Sequence, residues 1–225
     1  MHAVALKPAS SITIPTRVLA GVTVPDTEVV TTAMNYARLY SQPSLFNHGV
    51  RSWLFAALFA EIRKTPHDGE VLAVTTLLHD IGLEKVFAGP LRFEVEGANV
   101  AREFALNEGM DERRAQLVWD GVALNSTPSI SLHKEVEVAL ATAGIGLDWG
   151  GFGYDALPEE RIHAIVAAFP RLEMKKKFSD AICCLAKERA GTTYDNFARD
   201  FGERFVPGYK APSTVDFFLN SPFRE

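Results

Sequence analysis

The amino-acid sequence predicts an all-α fold. Apolar residues recur at helical spacing along most of the 225 residues, and helix start and stop signals separate these stretches. No segment sustains the alternation of apolar and polar residues that is typical of half-buried strands. We therefore expect a bundle of helices over residues 25–205, preceded by an extended arm over 1–24 and followed by a tail over 206–225 that packs on the same domain.

The arm and the first two helices follow from local composition. Residues 1–24 are rich in Pro, Ser, Thr and Val, which predicts extended backbone with a short strand around 12–14. Asp26 is the expected N-cap of a helix that runs to about residue 40. Pro43 opens the second helix, and both His48 and Arg51 lie on its apolar stripe.

The third helix carries an unusual pair of polar residues. Its start signal is residues 66–69, and its apolar stripe ends at Gly82, a favourable stop residue. His79 and Asp80 are therefore expected in its last turn, and residues 84–91 are expected to form a loop.

The remaining helices are separated by glycine, proline and asparagine. They are predicted over about 93–106, 111–124, 136–148, 158–169, 171–189 and 193–201. The glycine-rich residues 150–153 lack the strand-turn-helix setting of a dinucleotide-binding loop, so we expect no phosphate cradle there. The tail is expected to be a loop with a short helical turn.

Composition and charge limit the classes of function. The net charge of -5 argues against a nucleic-acid-binding surface. The chain shows neither a secretory signal pattern nor an apolar run of about 20 residues that could span a bilayer. Cys183 and Cys184 are adjacent and therefore poor disulfide partners. We expect a cytoplasmic protein that binds neither nucleic acid nor membrane, with end segments that could reach a second copy in a homo-oligomer.

Four polar residues at helix ends are suited to bind a metal. His48 lies early in the second helix, His79 and Asp80 end the third, and Asp148 ends a later one. Burying such groups unpaired would cost several kcal/mol, and a carboxylate at a helix C-terminus needs a compensating partner. Two imidazoles and two carboxylates suit one divalent ion, and the sequence leaves Zn, Fe and Mn open. Such an ion lowers the pKa of bound water, and Asp80 has two oxygens with which to ligate the ion and steer the water.

Three segments carry a more specific pattern. They are Asn47-His48-Gly49-Val50-Arg51-Ser52-Trp53, Leu77-Leu78-His79-Asp80-Ile81-Gly82 and Arg92-Phe93-Glu94-Val95-Glu96-Gly97-Ala98. Their order and spacing resemble the cyanamide hydratase branch of the HD-domain superfamily of metal-dependent hydrolases. The resemblance implies an all-α bundle around the metal site and a small-molecule substrate. It also implies addition of water to a small carbon–nitrogen multiple bond, as in the conversion of cyanamide to urea.

Further site residues follow from their positions around this pattern. Glu94 is expected to orient water or substrate, and Asn47 is expected to bind substrate. Arg51 is expected either to act in the site, by pairing with Asp80 or Glu94 or by touching an anionic substrate, or to form an ordinary salt bridge. Trp149 and Phe152 are expected to wall the pocket.

Asn125 departs from the pattern of the family. It stands where relatives usually have a histidine, just before the Thr-Pro stretch. Asparagine keeps the ability to hydrogen bond but cannot act as a general acid or base near pH 7. Asparagine at this position argues against a two-metal phosphodiesterase site. It also argues against cyanamide hydration itself.

Two other functions remain open at the level of sequence. One is a phosphohydrolase that acts on a nucleotide or phosphate ester, which would need basic residues near the metal; Arg51 and Arg92 are the obvious candidates. The other is a non-catalytic metal-binding scaffold, which the asparagine at position 125 would favour.

Overall fold

The computed structural model describes residues 14–223, and in this part of the chain it contains eleven α-helices and one two-stranded hairpin. The strands are β1 (Thr16–Leu19) and β2 (Val22–Pro25). The helices are α1 (Glu28–Tyr40), α2 (Pro43–Arg63), α3 (Gly69–Leu78), α4 (Phe93–Asn107), α5 (Glu112–Ala123), α6 (Pro128–Ser131), α7 (Val136–Gly150), α8 (Glu159–Ala168), α9 (Met174–Glu188), α10 (Ala198–Phe205) and α11 (Thr214–Leu219). The predicted all-α class is confirmed, with the hairpin as a small addition.

The hairpin corrects the expectation of an extended arm for the residues just before α1. β1 and β2 pair antiparallel, with Leu19 opposite Val22. Val22 and Val24 are buried in the main core, whereas Thr23 between them is exposed. The predicted strand at 12–14 falls mostly outside the described residues, and Ile14 is not in a strand. The hairpin exists because its alternating face can be buried against α2 and α3.

α2 forms the centre of the bundle. Pro43 occupies its first turn, where the missing N–H is no loss. Between Ser44 and Ala60 nearly every side chain is buried, so this helix is covered on all sides. It packs most extensively against α7 and also against α3.

A glycine sets the close approach of α7 to α2. A Cβ atom at Gly144 would overlap the carbonyl oxygen of Ser52 and lie 2.7 Å from the backbone nitrogen of Ala56. Only glycine lets the two backbones come this near. The contact holds the last turn of α7 beside the first half of α2, where the candidate site lies.

The C-terminal helices build a second, smaller core. Its buried members are Leu45, Phe93, Phe178, Ile182, Leu185 and Ala198. The tail is joined to α10 by Tyr209, whose ring lies against Gly202, whereas the large apolar side chains of α11 are mostly exposed.

The division into arm, domain and tail remains a prediction. Within residues 14–223, no helix combines the length and apolar character needed to cross a bilayer.

Candidate metal centre and its cavity

His79 and Asp80 lie just beyond the third helix. α3 begins within the predicted start signal at residues 66–69, with Asp68 as its N-cap, and ends at Leu78, one turn earlier than expected. The ring of His79 turns back so that Nδ1 donates to the carbonyl oxygen of Thr76 at 2.8 Å. The carbonyl of Thr76 can accept this hydrogen bond because the carbonyl groups in the last turn of a helix have no N–H partner within the helix.

The backbone after Asp80 is held tightly against α4. Residues 81–83 form a 3₁₀ turn. A Cβ at Gly82 would overlap the carbonyl oxygen of Phe93 and lie 2.7 Å from the nitrogen of Gly97. Gly82 therefore allows the turn to dock on α4, and this docking fixes the position of Asp80.

Three buried side chains converge to form the candidate metal centre. His48, on α2, is 1% exposed, and His79 and Asp80 are 2% and 8% exposed. Nε2 of His48 lies 3.1 Å from Nε2 of His79. Oδ2 of Asp80 lies 3.2 Å from Nε2 of His79 and 3.6 Å from Nε2 of His48. One ligand atom from each residue thus lies within 4.8 Å of the others.

The hydrogen bonds around the two imidazoles favour a cation between them. Nδ1 of His48 lies 2.6 Å from Oδ2 of Asp148, and Nδ1 of His79 lies 2.8 Å from the carbonyl of Thr76. Both Nδ1 atoms therefore carry the ring hydrogen. In the neutral rings neither Nε2 atom carries a hydrogen, and the lone pairs of the two Nε2 atoms face each other. Oδ2 of Asp80 is also buried and has no hydrogen-bond partner. Two nitrogens that each lie about 2.0–2.1 Å from one zinc ion can be this close together, so the residues fit a divalent metal.

Asp148 differs from its expected role as the fourth ligand. Its carboxylate is 3% exposed and is already engaged by His48 and two arginines. Arg51 donates to both carboxylate oxygens at 2.7 Å, and Arg171 donates to Oδ1 at 3.1 Å. In this structure Asp148 holds the Nδ1 side of His48 rather than joining the three converging ligand atoms, an arrangement that fixes the tautomer of a metal-binding histidine.

Arg51 was expected either to act in the site, near Asp80, Glu94 or substrate, or to form an ordinary salt bridge, and in the structure it forms a salt bridge that is buried. It is fully buried behind the site, pairs with Asp148, and donates to the carbonyl oxygen of Phe169 at 2.9 Å. Because its guanidinium is surrounded by these acceptors and does not line the cavity, Arg51 is a positioning residue. The same paired arrangement satisfies the buried carboxylate at the end of α7.

The charges in the cluster shift its titration. Burial lowers the pKa of His48. Burial would also lower the pKa of His79, but the neighbouring carboxylate of Asp80 outweighs it and raises that pKa. Burial would raise the pKa of Asp148, but hydrogen bonds from His48 and Arg51 hold it well below the usual range. The carboxylate of Asp148 therefore stays ionised at neutral pH and can accept the hydrogen bond from Nδ1 of His48.

Glu94 supports the site from behind. It is fully buried on the first turn of α4. Its Oε1 accepts hydrogen bonds from Arg92 at 2.9 Å and from the hydroxyl of Ser126 at 2.6 Å. Ser126 lines the cavity and Glu94 does not. Glu94 therefore contacts the cavity only through Ser126, and the role predicted for it, to orient water or substrate, remains a prediction.

Of the two asparagines, one reaches the cavity and the other does not. Asn125 lines it and donates its amide hydrogens to the carbonyl of Val122 at 2.7 Å and of His79 at 3.4 Å. The carboxamide oxygen is then the atom left to meet a ligand. Asn47 does not line the cavity and instead donates to the carbonyl of Pro170 at 2.8 Å, which ties α2 to the segment before α9. Its contact with substrate remains a prediction.

The cavity that opens from the cluster has a volume of about 650 Å³. His48, His79 and Asp80 line it together with apolar and aromatic side chains from α2, α7, α9 and the loop before α10. The apolar lining residues are Phe59, Pro128, Leu132, Ala143, Ile145, Trp149, Phe152, Phe178 and Phe197. Trp149 and Phe152 are among the lining residues, and their rings stack with centroids 6.4 Å apart. Their contact with substrate remains a prediction.

Sequence reasoning missed three residues of the site. Ser126 directly follows Asn125, and its hydroxyl was a signal that could have been used. Arg171 and Phe197 come from segments far along the chain, and no local pattern pointed to them. Only the folded arrangement brings them to Asp148 and Trp149.

Comparison with known proteins supports the metal-centre interpretation. Residues 45–139 match the family model described as HD domain. This segment is less than half of the chain; it contains the converging residues His48, His79 and Asp80 and ends before Asp148. No curated protein matches the chain. The match and the buried ligand cluster together support the HD-domain superfamily predicted from the sequence, whose members are typically metal-dependent hydrolases.

Proposed function

We propose that the protein is a metal-dependent hydratase that adds water across a carbon–nitrogen multiple bond. In this reaction the water oxygen bonds to carbon, and both water hydrogens end on nitrogen, so that a nitrile or cyanamide becomes an amide or urea. The observation that carries the proposal is the pair of facing Nε2 atoms of His48 and His79, beside unpartnered Asp80, in the wall of a cavity that is otherwise mainly apolar.

The chain supplies the ligands and the hydrogen-bond acceptors. His48, His79 and Asp80 would hold the ion, which when bound would polarise the substrate and lower the pKa of a water. Asp80 is 8% exposed, and its Oδ2 is buried without a hydrogen-bond partner. Its carboxylate can therefore accept a hydrogen bond from the attacking water.

Ser126 and Asn125 present acceptors to the substrate. Ser126 lines the cavity and donates its hydroxyl hydrogen to Glu94, so its oxygen lone pairs remain available as acceptors. The amide hydrogens of Asn125 are donated to backbone carbonyls, which leaves its oxygen free. Two neutral acceptors suit a substrate or product that carries N–H groups, such as a cyanamide or a urea.

The charges near the metal centre weigh against a phosphate substrate. Arg51 and Arg171 are bound to Asp148, and Arg92 is bound to Glu94. Arg63 is the one arginine or lysine that lines the cavity within the described part of the chain, and it is fifteen residues after His48 on the same helix. A phosphoryl group at the metal would therefore meet no free guanidinium there.

The test is turnover by the metal-loaded protein. Zinc-, iron- and manganese-loaded samples are incubated with cyanamide and a set of nitriles, and urea or amide is measured. We expect turnover by the wild type and by Asp155→Asn, an exposed carboxylate that serves as the matched control. Asp80→Asn should lose at least a hundredfold in kcat/KM.

Two results would overturn the proposal. One is the absence of any turnover at full metal occupancy, which would favour a scaffold. The other is phosphate release from a nucleotide panel that depends on Asp80, which would make the protein a phosphohydrolase.

A further inference from the structure

The size of the cavity is out of proportion to a substrate such as cyanamide. Cyanamide has three non-hydrogen atoms. A volume of about 650 Å³ would hold roughly twenty waters at their share of liquid volume, and it falls in the range of pockets for drug-sized ligands. A three-atom substrate would leave most of this space filled with water.

Asn125 and Ser126 place neutral polar groups near the metal centre, and Arg63 is a charged lining residue further along α2. Asn125 donates to the carbonyl of His79, and Ser126 follows it in the chain. Most of the remaining lining is apolar. A ligand that fills the cavity therefore meets one polar region and one large apolar region.

The cavity extends along α2. Phe59 and Arg63, both lining residues, are eleven and fifteen positions after His48 on that helix. At about 1.5 Å per residue these positions lie roughly 16 and 22 Å further along the axis. Arg63 sits over the ring of Phe59, with its guanidinium carbon 4.7 Å from the ring centroid, so an aromatic ring also lies at the distant end.

Aromatic rings also form part of the cavity wall. Trp149 and Phe152 are stacked, and Trp149 meets Phe197 edge to face with centroids 6.2 Å apart. Trp149 is 41% and Phe152 is 63% exposed. Such exposed aromatic surface beside a cavity is typical of a binding site for an apolar group.

We infer that the substrate carries an apolar, aromatic-sized group that binds against Trp149, Phe152 and Phe197, while its carbon–nitrogen function reaches the metal centre. This inference rests on the proposed hydratase function and names its substrate class. The substrate is thus an aryl- or aralkyl-substituted cyanamide or nitrile rather than cyanamide itself.

Binding and turnover are measured separately, so that the two proposals can fail independently. Urea and phenylurea serve as unreactive product-like probes, which are titrated by calorimetry and by tryptophan fluorescence. We expect phenylurea to bind at least tenfold more tightly than urea, because only its ring can bury apolar surface. Cyanamide and phenylcyanamide are then compared as substrates, and phenylcyanamide should have a kcat/KM at least tenfold higher.

Two tryptophan variants locate the binding. Trp149→Ala should reduce phenylurea affinity at least fivefold and leave urea binding unchanged. Trp119→Phe is the matched control, since Trp119 bonds to Asn99 and does not line the cavity. Circular dichroism checks that both variants remain folded.

The outcomes separate the inference from the function. Equal affinity for urea and phenylurea, or phenylurea binding that Trp149→Ala leaves unchanged, would overturn the inference even if cyanamide is hydrated. Tight phenylurea binding that depends on Trp149, with no hydration of either cyanamide, would support the aromatic binding region and overturn the hydratase function.

Discussion

Replacing Arg51 by methionine should destabilise the fold far more than replacing a surface arginine. Arg51 is fully buried and donates two hydrogen bonds of 2.7 Å to Asp148. Methionine fills much of the same space but leaves that carboxylate with His48 and with the partly exposed Arg171. Removing one partner of a buried ion pair costs about 3–5 kcal/mol, and because Arg171 remains we expect about 3 kcal/mol.

Urea unfolding measures this difference. With a urea m-value of about 3 kcal/mol/M, a loss of about 3 kcal/mol lowers the midpoint by about 1 M. Arg113→Met is the matched control, since Arg113 is 64% exposed in its pair with Glu135 and such pairs contribute about 0–1 kcal/mol. Equal midpoints for the two variants would refute the role given to Arg51.

Two further predictions concern the packing and charges around the site. Asp68→Asn keeps a favourable N-cap for α3 but removes the charge that pairs with Arg114. The pKa of Asp68 is lower in the folded protein than in the unfolded chain. Its contribution to the free energy of unfolding is therefore present above about pH 4 and is lost as the pH falls through the lower folded value. We therefore expect Asp68→Asn to cost about 1–2 kcal/mol at pH 7 and progressively less as the pH falls below about 4, and a cost that does not change with pH would contradict this. Gly144→Ala should cost about 1–3 kcal/mol by overlap with Ser52, whereas Gly191→Ala, with open space around it, should be near neutral; thermal unfolding of both variants decides.

Local sequence signals predicted most helices and the converging ligands. Asp68, Pro43 and the apolar stripes placed α2 and α3 because caps and periodicity act within a few residues. His48 and the His79-Asp80 pair were recognisable because buried polar groups need partners. The hairpin was missed because its alternation spans only four residues in each strand.

Contacts between distant segments could not be predicted in the same way. Arg51 meets Asp148 ninety-seven residues later, and Asn47 reaches Pro170 across 123 residues. The need of Asp148 for a compensating partner was foreseen, but the sequence could not choose between a metal and an arginine. That choice depends on how α7 packs on α2, which Gly144 controls.

Metal content tests the central claim, which is that His48, His79 and Asp80 together hold one divalent ion. Elemental analysis of the purified, metal-loaded protein should give about one ion per chain. His79→Ala and Asp80→Ala should retain less than a tenth of that, whereas the exposed control His163→Ala should retain it fully. Equal metal content in wild type and His79→Ala, or a wild type that binds no divalent ion, would contradict the account.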